Sequence, residues 1–481
     1  MAREMSGPHD LSSCRFAARR FMANFAWRGC VTLAAMLGLG SLTAHAQTNA
    51  ALTTIYTFSS TVSSTNADGT FPSSALLLGA DGAFYGSAFQ GGAFGYGTLF
   101  RITPAGSFTA LVQFNGANGR GPSAPLIQGR DGNLYGTTQN GGTNNVGTVF
   151  RVTTNGAITS LYSFTGGLDG AYPVGLAQNG DGLLYGTTQG GGATNAGTAY
   201  KITTNGVFTS LVSFNNTNGS SPRAPLLPVV DDNGNFFGTT HSGGTKGAGT
   251  IFKLSPQGSL IFSFPFSYNN GFQPDATLLL ARDGNYYGTT RAGGPGNGTN
   301  GYGSVFKMTL AGAITSVAFF DNNNGSAPEC TLIQAKDGNF YGTTLFGSVF
   351  KMTTNGIITP LVSFVISNNI YPWGLFPKGG LVEGPDGNLY GVTQQGGTGP
   401  SQGTIYRINI RPTFISSGRT NGNYGLTWKA IPGQNYRLQY STNSTTWVNL
   451  GGLITATNAT MTASDAAPPD PTRFYRLVLM P

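Results

Sequence analysis

The stretch APLIQGRDGNLYGTTQNGGTNNVGTVFRVTTNGAITSLYSF, residues 124–164, contains the unit that decides the fold. Apolar and β-branched runs in it are separated by two turn pairs, Asp131-Gly132 and Asn155-Gly156, and by the glycine-rich loop 139–147. Such turn pairs between short aromatic and β-branched runs are the strongest local signal for β-hairpins. The stretch therefore predicts four short antiparallel strands, at 124–128, 133–138, 148–153 and 158–164.

This unit recurs seven times in the 481 residues. A Tyr/Phe-Gly pair marks each copy, beginning at Tyr85, Tyr135, Tyr185, Phe237, Tyr287, Tyr341 and Tyr390. Each pair follows a turn that starts at Asp81, Asp131, Asp181, Asn233, Asp283, Asp337 or Asp386. Four-stranded units at a period of about 40–50 residues are typical of β-propeller blades. The sequence thus predicts an all-β fold with a seven-bladed β-propeller.

The two ends of the repeat region are complementary. Residues 52–58 (LTTIYTF) match the fourth strand of a unit, while the seventh copy runs through 403–410 without a fourth strand. A solenoid is the alternative architecture, but it gains nothing from this arrangement, whereas a ring can close without an unpaired edge. We therefore expect a propeller domain at 47–410, closed by antiparallel pairing of 52–58 with 404–410.

Residues 1–46 are predicted to be a signal peptide. A basic region with Arg15, Arg19, Arg20 and Arg28 precedes a mostly apolar run at 31–44, and Ala44-His45-Ala46 has the small-x-small pattern of a cleavage site. No later run reaches the ~18 apolar residues of a membrane helix. We expect a secreted protein, extracellular or at the cell surface with the periplasm as the alternative, and no membrane span.

Composition narrows the possible chemistry. The first 46 residues carry five arginines and two carboxylates, so the formal net charge falls from +8 to +5 when they are left out. This surplus of positive charge is too small to indicate nucleic-acid binding. One cysteine, Cys330, and one histidine, His241, remain, which excludes an internal disulfide and the usual zinc ligand sets. We predict no metal, no cofactor and no catalytic residue, and the sequence sets no oligomeric state.

Two sets of repeated charges are interpreted structurally. The turn aspartates could be taken for a calcium ladder, but a single carboxylate before a glycine fits turn chemistry better. The third strand carries a basic residue in every copy, namely Arg101, Arg151, Lys201, Lys253, Lys307, Lys351 and Arg407. These could form an anion-binding ring, but the expected register places Arg151 beside Asp131 and favours ion pairs within each blade.

The long loops predict the candidate site. Loops between the second and third strands, and those between blades, share one face, where binding residues usually concentrate. The position four residues after each Tyr/Phe lies there and varies as Phe89, Gln139, Gln189, His241, Arg291, Leu345 and Gln394. Gln139, Gln189, His241, Arg291 and Gln394 are the predicted ligand-binding residues. Their chemistry suits a neutral polar ligand such as a glycan, although ordinary solvated loops have the same composition.

These patterns predict a non-catalytic binding or structural propeller with an extracellular glycan or a protein as its partner. The alternative is a hydrolase or lyase that acts on extracellular polysaccharide. Four carboxylates between blades, Asp68, Asp169, Asp275 and Asp321, could converge near the axis. A glycosidase needs two carboxylates about 5–10 Å apart, and nothing in the sequence shows such a pair.

The period stops after residue 410, and 411–481 is predicted to be a small β-sandwich. Short runs rich in aromatic residues alternate with polar turns such as Pro432-Gly433. Trp428, Tyr436, Tyr440, Trp447 and Tyr475 are the expected core.

Both regions resemble known families. DGNLYGTT at 131–138 and GTVFRVTTNG at 147–156 resemble the GloVer tandem repeats of exported bacterial proteins, over residues 52–410. That resemblance implies no particular activity. YRLQYSTNSTTWVNLGG at 436–452 and RFYRLVL at 473–479 look like the fibronectin type III-like modules of secreted bacterial proteins.

Overall fold

We describe the fold from a computed structural model. It describes residues 52–231, 233–294, 301–321, 323–364, 371–397, 402–410, 413–420, 423–430, 435–443, 445–458, 460–466 and 473–480. The predicted signal peptide at 1–46 lies outside the described residues. In the described ranges every regular element is a β-strand, and none is a helix able to cross a membrane.

Seven antiparallel sheets, numbered I to VII along the chain, correspond to the seven repeats. Sheet I contains Thr70–Pro72, Leu77–Leu78, Phe84–Gln90, Thr98–Ile102 and Phe108–Gln113. Sheet II contains Ile127–Gln128, Leu134–Thr138, Thr148–Val152 and Ile158–Ser163. Sheet III contains Ala171–Gln178, Leu184–Gly190, Thr198–Ile202 and Phe208–Ser213. Sheet IV contains Leu227–Pro228, Phe236–Thr240, Thr250–Leu254 and Leu260–Pro265.

The remaining sheets follow the same plan. Sheet V contains Leu279–Leu280, Tyr286–Thr290, Ser304–Met308 and Ile314–Phe319. Sheet VI contains Ile333–Gln334, Phe340–Thr344, Ser348–Met352 and Ile358–Ser363. Sheet VII contains Val382–Glu383, Leu389–Thr393, Thr404–Ile408 and Leu52–Thr57, and a separate pair joins Tyr371–Leu375 to Gln395–Gly397.

Sheet VII combines strands from both ends of the repeat region. Leu52–Thr57 pairs antiparallel with Thr404–Ile408, in a register that places Leu52 opposite Ile408 and Thr57 opposite Thr404. In sheet II, the outer strand Ile158–Ser163 pairs with Thr148–Val152 in the same manner. The strand at 52–57 therefore occupies the position of a fourth strand.

The recurring Tyr-Gly pair is explained by packing. In sheet II the hydroxyl of Tyr135 donates a hydrogen bond to the carboxylate of Asp131 at 2.7 Å. This bond connects the second strand to the turn that precedes it. A Cβ on the following Gly136 would lie 2.6 Å from the ring of Phe150, so only glycine admits that ring. All five residues of this second strand are buried, which is expected when both faces of a sheet are covered.

Seven apolar clusters, counted over the described residues, each join two sheets. Six connect sheets that are consecutive in the chain, as where Tyr135 of sheet II packs with Leu184 of sheet III. The seventh connects sheet VII to sheet I, through Tyr390 and Phe84, whose ring centroids are 4.3 Å apart. Every one of the seven sheets thus shares a buried core with two others.

The expected ion pairs are present within several sheets. Arg101 pairs with Asp81 at 2.8 Å and Lys307 with Asp283 at 3.0 Å. In the fourth copy the turn contains Asn233 and Gly234, which has a φ of +64°, and Asp231, two residues earlier, supplies the carboxylate that pairs with Lys253 at 3.0 Å. Lys201 instead donates to the carbonyl of Pro256, across to sheet IV.

The tail forms two small sheets with a shared core. One contains Thr413–Thr420, Asn423–Lys429 and Thr460–Asp465, and the other contains Asn435–Ser441, Val448–Asn449, Ile454–Thr455 and Phe474–Met480. Trp428 and Tyr436 lie in the core as predicted. The prediction was wrong for Tyr440, Trp447 and Tyr475, which are only half-buried. Arginine side chains cover the first two rings, and the Tyr475 hydroxyl donates to Asp465 at 2.8 Å.

Candidate functional site

A proline turn at or ahead of the first strand shapes the candidate site in every repeat. The residue before the proline has a positive φ of 53° to 66° in all seven copies, namely Phe71, Gly121, Tyr172, Ser221, Gln273, Ala327 and Phe376. Six of them are not glycine, and residues before proline ordinarily prefer an extended backbone. The surrounding structure must therefore hold the turn in this conformation.

Two backbone hydrogen bonds hold the turn. In sheet IV the N–H of Ser221 donates to the carbonyl of Ala196, which belongs to the long loop of sheet III, at 2.8 Å. The carbonyl of Ser221 accepts from the N–H of His241 at 3.1 Å, and Gln139, Arg291 and Gln394 make the equivalent bond at 3.0 Å. In sheet IV the turn thereby ties two neighbouring sheets together, and in these four copies it places a predicted site residue beside the proline.

A cavity of about 450 Å³ opens among the seven first-strand segments. The residue after the recurring proline lines it in every copy, as Ser73, Ser123, Val174, Arg223, Asp275, Glu329 and Lys378. One backbone position therefore presents six different residue types to the cavity, with serine in two copies. The volume falls in the range of small-ligand pockets, ~300–1,000 Å³.

The structure brings three of the five predicted site residues into the cavity wall, namely Gln139, Gln189 and Gln394. The other two, His241 and Arg291, are not part of the lining. Each instead contacts a carboxylate that lines the cavity. His241 contacts Asp275, and Arg291 forms an ion pair with Glu329. The five predicted residues thus surround one cavity in two layers.

Asp275 is the most heavily engaged side chain in the wall. It is 7% exposed and accepts from Nδ1 of His241 at 2.7 Å, while a guanidinium nitrogen of Arg223 lies 3.6 Å away. His241 Nε2 in turn lies 3.0 Å from the side-chain nitrogen of Gln273. Both partners of the carboxylate, Arg223 and His241, thus belong to the neighbouring sheet IV.

Glu329 is the second buried carboxylate. It is 12% exposed, and its Oε1 lies 2.8 Å from Nε of Arg291. Burial raises the pKa of Glu329 above its ordinary value, even though the positive charges of Arg291 and Lys378 oppose the increase. This carboxyl can therefore hold a proton at higher pH than an exposed glutamate does.

The remaining wall is uncharged. Sheets I to III contribute Ser73, Ser123 and Val174, together with Phe89 and the two glutamines at 139 and 189. We call this the neutral side, and we call Arg223, Asp275, Glu329 and Lys378 of sheets IV to VII the charged side. On the neutral side the ring of Phe89 lies across Gly121, where a Cβ would come within 2.8 Å of it.

The sequence prediction did not include the residue after the proline as a site residue, although the sequence contains a pattern that points to it. The proline recurs in all seven copies, at 72, 122, 173, 222, 274, 328 and 377, while the next residue varies widely.

The expectation that four carboxylates could converge was wrong for three of them. Asp68, Asp169 and Asp321 accept hydrogen bonds within their own loops, and only Asp275 lines the cavity.

Over the described ranges, no three His, Cys, Asp or Glu side chains come together in a group able to hold a metal ion. Cys330 also lines the cavity wall but is buried, and burial raises the pKa of its thiol. Its sulfur lies 3.1 Å from the carbonyl oxygen of Thr343, to which the thiol donates.

The fold and its cavity define a tandem-repeat β protein with a ligand-sized pocket built from repeat-equivalent positions. The chain belongs to the Gloeobacter/Verrucomicrobia repeat family, which matches residues 38–233, 155–344 and 227–447 in three overlapping stretches. This confirms the tandem-repeat resemblance. The fibronectin type III-like resemblance of the tail stays a prediction.

Several solved structures are similar in fold. The extracellular domain of a protein assigned as a hybrid two-component system from B. thetaiotaomicron is 11% identical with a TM-score of 0.49, over 90% of this chain and 57% of that one. This chain thus spans little more than half of that domain. A PL25 ulvan lyase is 11% identical with a TM-score of 0.46, over 72% of this chain and 95% of that chain. The lectin BP39L from Burkholderia pseudomallei is 11% identical with a TM-score of 0.45, over 70% of this chain and 99% of that chain.

No curated protein matches the chain. At identities and TM-scores this low, the structural likenesses carry no residue role over to this cavity.

Proposed function

We propose that this protein is a secreted or cell-surface glycan-binding protein without catalytic activity, and that the cavity is its binding site. The observation that carries the proposal is the cavity wall itself. The same position of all seven repeats lines it, yet six different residue types occur there. A position needed only for packing would not require serine, arginine, aspartate and lysine in turn.

The proposal includes a closed ring of seven blades around the cavity. Two observations support it. Seven apolar clusters link seven sheets, whereas an open row of seven sheets would have only six interfaces. The strand Leu52–Thr57 also fills the outer position of sheet VII, which removes an exposed edge.

A glycan fits the chemistry of the lining. Ser73, Ser123 and the three glutamines offer both donors and acceptors, which suits the paired hydroxyls of a sugar. The ring of Phe89 adds an apolar surface against which a sugar face can pack.

We further propose that 1–46 directs export and that 411–481 is a fibronectin type III-like module.

A glycan-array screen of the protein without residues 1–46 tests this proposal. We expect binding to a defined set of glycans, and its near loss in a triple variant, Gln139→Ala with Gln189→Ala and Gln394→Ala. The matched control changes three exposed positions on outer strands, Ser160→Ala, Thr209→Ala and Ser210→Ala. Absence of any bound glycan, or equal binding by both triple variants, would contradict the proposal.

A second candidate function is cleavage of an extracellular polysaccharide. The observation that favours it is that two carboxyl groups line one side of the cavity, namely Glu329, whose pKa is raised by burial, and Asp275, which is hydrogen-bonded to His241 behind the wall. Such groups can donate and accept protons in acid–base catalysis. Hydrolysis would add water across a glycosidic bond and create a reducing end, whereas elimination would leave an unsaturated sugar. Assays for both products on the glycans that bind decide between binding alone and cleavage.

A further inference from the structure

The charges of the cavity are grouped on one side. Arg223, Asp275, Glu329 and Lys378 come from four consecutive sheets, while the three other copies of the same position carry Ser73, Ser123 and Val174. A ligand in this cavity therefore meets a neutral wall on one side and an ionic wall on the other.

The two carboxylates of the charged side are neutralised by the protein itself. Asp275 faces His241 at 2.7 Å and Arg223 at 3.6 Å. Glu329 faces Arg291 at 2.8 Å. Both carboxylates are thus satisfied before any ligand enters.

Lys378 differs from these groups. Its side chain is exposed, and no carboxylate of the described residues lies within ion-pair distance of its ammonium nitrogen. Arg291 lies outside the lining but pairs with Glu329, so the four residues of the charged side and Arg291 together carry three positive and two negative formal charges, a net charge of +1. The surplus positive charge lies in a concave site with partly apolar walls, where electrostatic attraction is stronger than on an open surface.

From this arrangement, and resting on the glycan-binding function proposed above, we propose that the cavity selects acidic sugars. The carboxylate of a hexuronate residue pairs with Lys378, and the hydroxyls of the same or the next sugar bind the neutral side. A neutral hexose satisfies only the second set of contacts. A charge-assisted hydrogen bond is about twice as strong as a neutral one, so it can dominate selectivity.

The test uses pairs of oligosaccharides that differ only in the carboxylate. Oligomers of galacturonate, glucuronate and mannuronate are compared with their methyl esters by titration calorimetry. For at least one backbone we expect the acid to bind about tenfold more tightly than the ester, which corresponds to one charged hydrogen bond. Lys378→Gln should reduce that preference to less than about threefold, chiefly by weakening the binding of the acid.

Lys246→Gln is the matched control, because Lys246 is an exposed lysine outside the cavity lining. It should leave the preference intact. The inference is overturned if no acid binds better than its ester, if Lys378→Gln weakens acid and ester equally, or if a sulfated neutral glycan is preferred to every uronate. In those cases binding of some glycan on the array would still support the proposed function, whereas binding of none would reject both.

Discussion

Nδ1 of His241 lies 2.7 Å from Oδ1 of Asp275, although the two residues belong to neighbouring sheets. The other ring nitrogen, Nε2, lies 3.0 Å from the side-chain nitrogen of Gln273. An amide nitrogen donates, so Nε2 accepts, and the single ring proton is on Nδ1, which donates to the carboxylate. His241 therefore acts as a positioning residue, held by the residues on either side of Pro274.

This relationship predicts that His241→Ala destabilises the fold, because it leaves a largely buried carboxylate without its best donor. We expect a loss of about 1–3 kcal/mol in the free energy of unfolding, measured by urea denaturation. His241→Asn can place a donor near the position of Nδ1 and should recover part of the loss. Gln139→Ala is the control and should change stability by less than about 0.5 kcal/mol. Equal stability of His241→Ala and the wild type would refute the positioning role.

Glu329 predicts a pH dependence. Burial raises the pKa of this carboxyl, against the attraction of Arg291 and Lys378. Its contribution to stability is therefore complete below the ordinary pKa of about 4.3 and is lost as pH rises through the higher folded-state value. Glu329→Gln should remove this fall from a urea-unfolding series over pH. An unchanged slope in the variant would show that Glu329 is not the group responsible.

Hydroxyl groups join neighbouring sheets at six of the seven interfaces. Ser87, Thr137, Thr187, Thr239, Thr289 and Thr343 donate to a carbonyl of the next first-strand segment at 3.1–3.5 Å. The equivalent residue of sheet VII is Val392. Thr289→Val should lower the free energy of unfolding by about 0.5–1.5 kcal/mol. Val392→Thr should raise the free energy of unfolding or leave it unchanged, because the added hydroxyl can donate to sheet I in the same way, and a loss of stability in that variant would contradict this expectation.

The proline turn predicts opposite effects of two matched substitutions. Gly121 has a φ of +66° and a ring carbon of Phe89 within 2.8 Å of its would-be Cβ, so Gly121→Ala should cost more than about 1 kcal/mol. Ala327 occupies the same position in sheet VI at a φ of +54°. Ala327→Gly relieves the backbone strain there and should be neutral or stabilising. Thermal unfolding of both variants tests this, and the reverse order of stabilities would show that the turn is not strained.

The repeat was predictable because its determinants are local. Asp131, Gly132 and Tyr135 lie within five residues of one another, and they specify both the turn and the tyrosine that fastens it. Loop lengths also indicated the face that carries the cavity. The same reasoning placed Gln139, Gln189 and Gln394 on this face, because they lie at the end of the second strand or directly after it, and their role in binding stays a prediction.

The location of the charged side in the cavity could not be predicted, because it depends on a structural feature that residues far apart in the chain determine together. No sequence rule predicts a positive φ for Ser221 or Gln273, which precede a proline. The turn that results nevertheless changes the direction of the side chain after the proline. Arg223 and Asp275 face the cavity for that reason. Their pairing also depends on contact between sheets whose residues are some fifty positions apart.

The central claim is that a glycan binds inside the cavity, and obstruction of the cavity tests it most directly. Ser123 lines the neutral side and is only partly buried, so Ser123→Trp should fill the space without disturbing the core. Ser160→Trp, on an exposed outer strand, adds the same ring away from the cavity. Titration calorimetry with the tightest-binding glycan of the array should show at least about a tenfold loss of affinity for Ser123→Trp and none for Ser160→Trp. Wild-type affinity in a folded Ser123→Trp variant would contradict the claim.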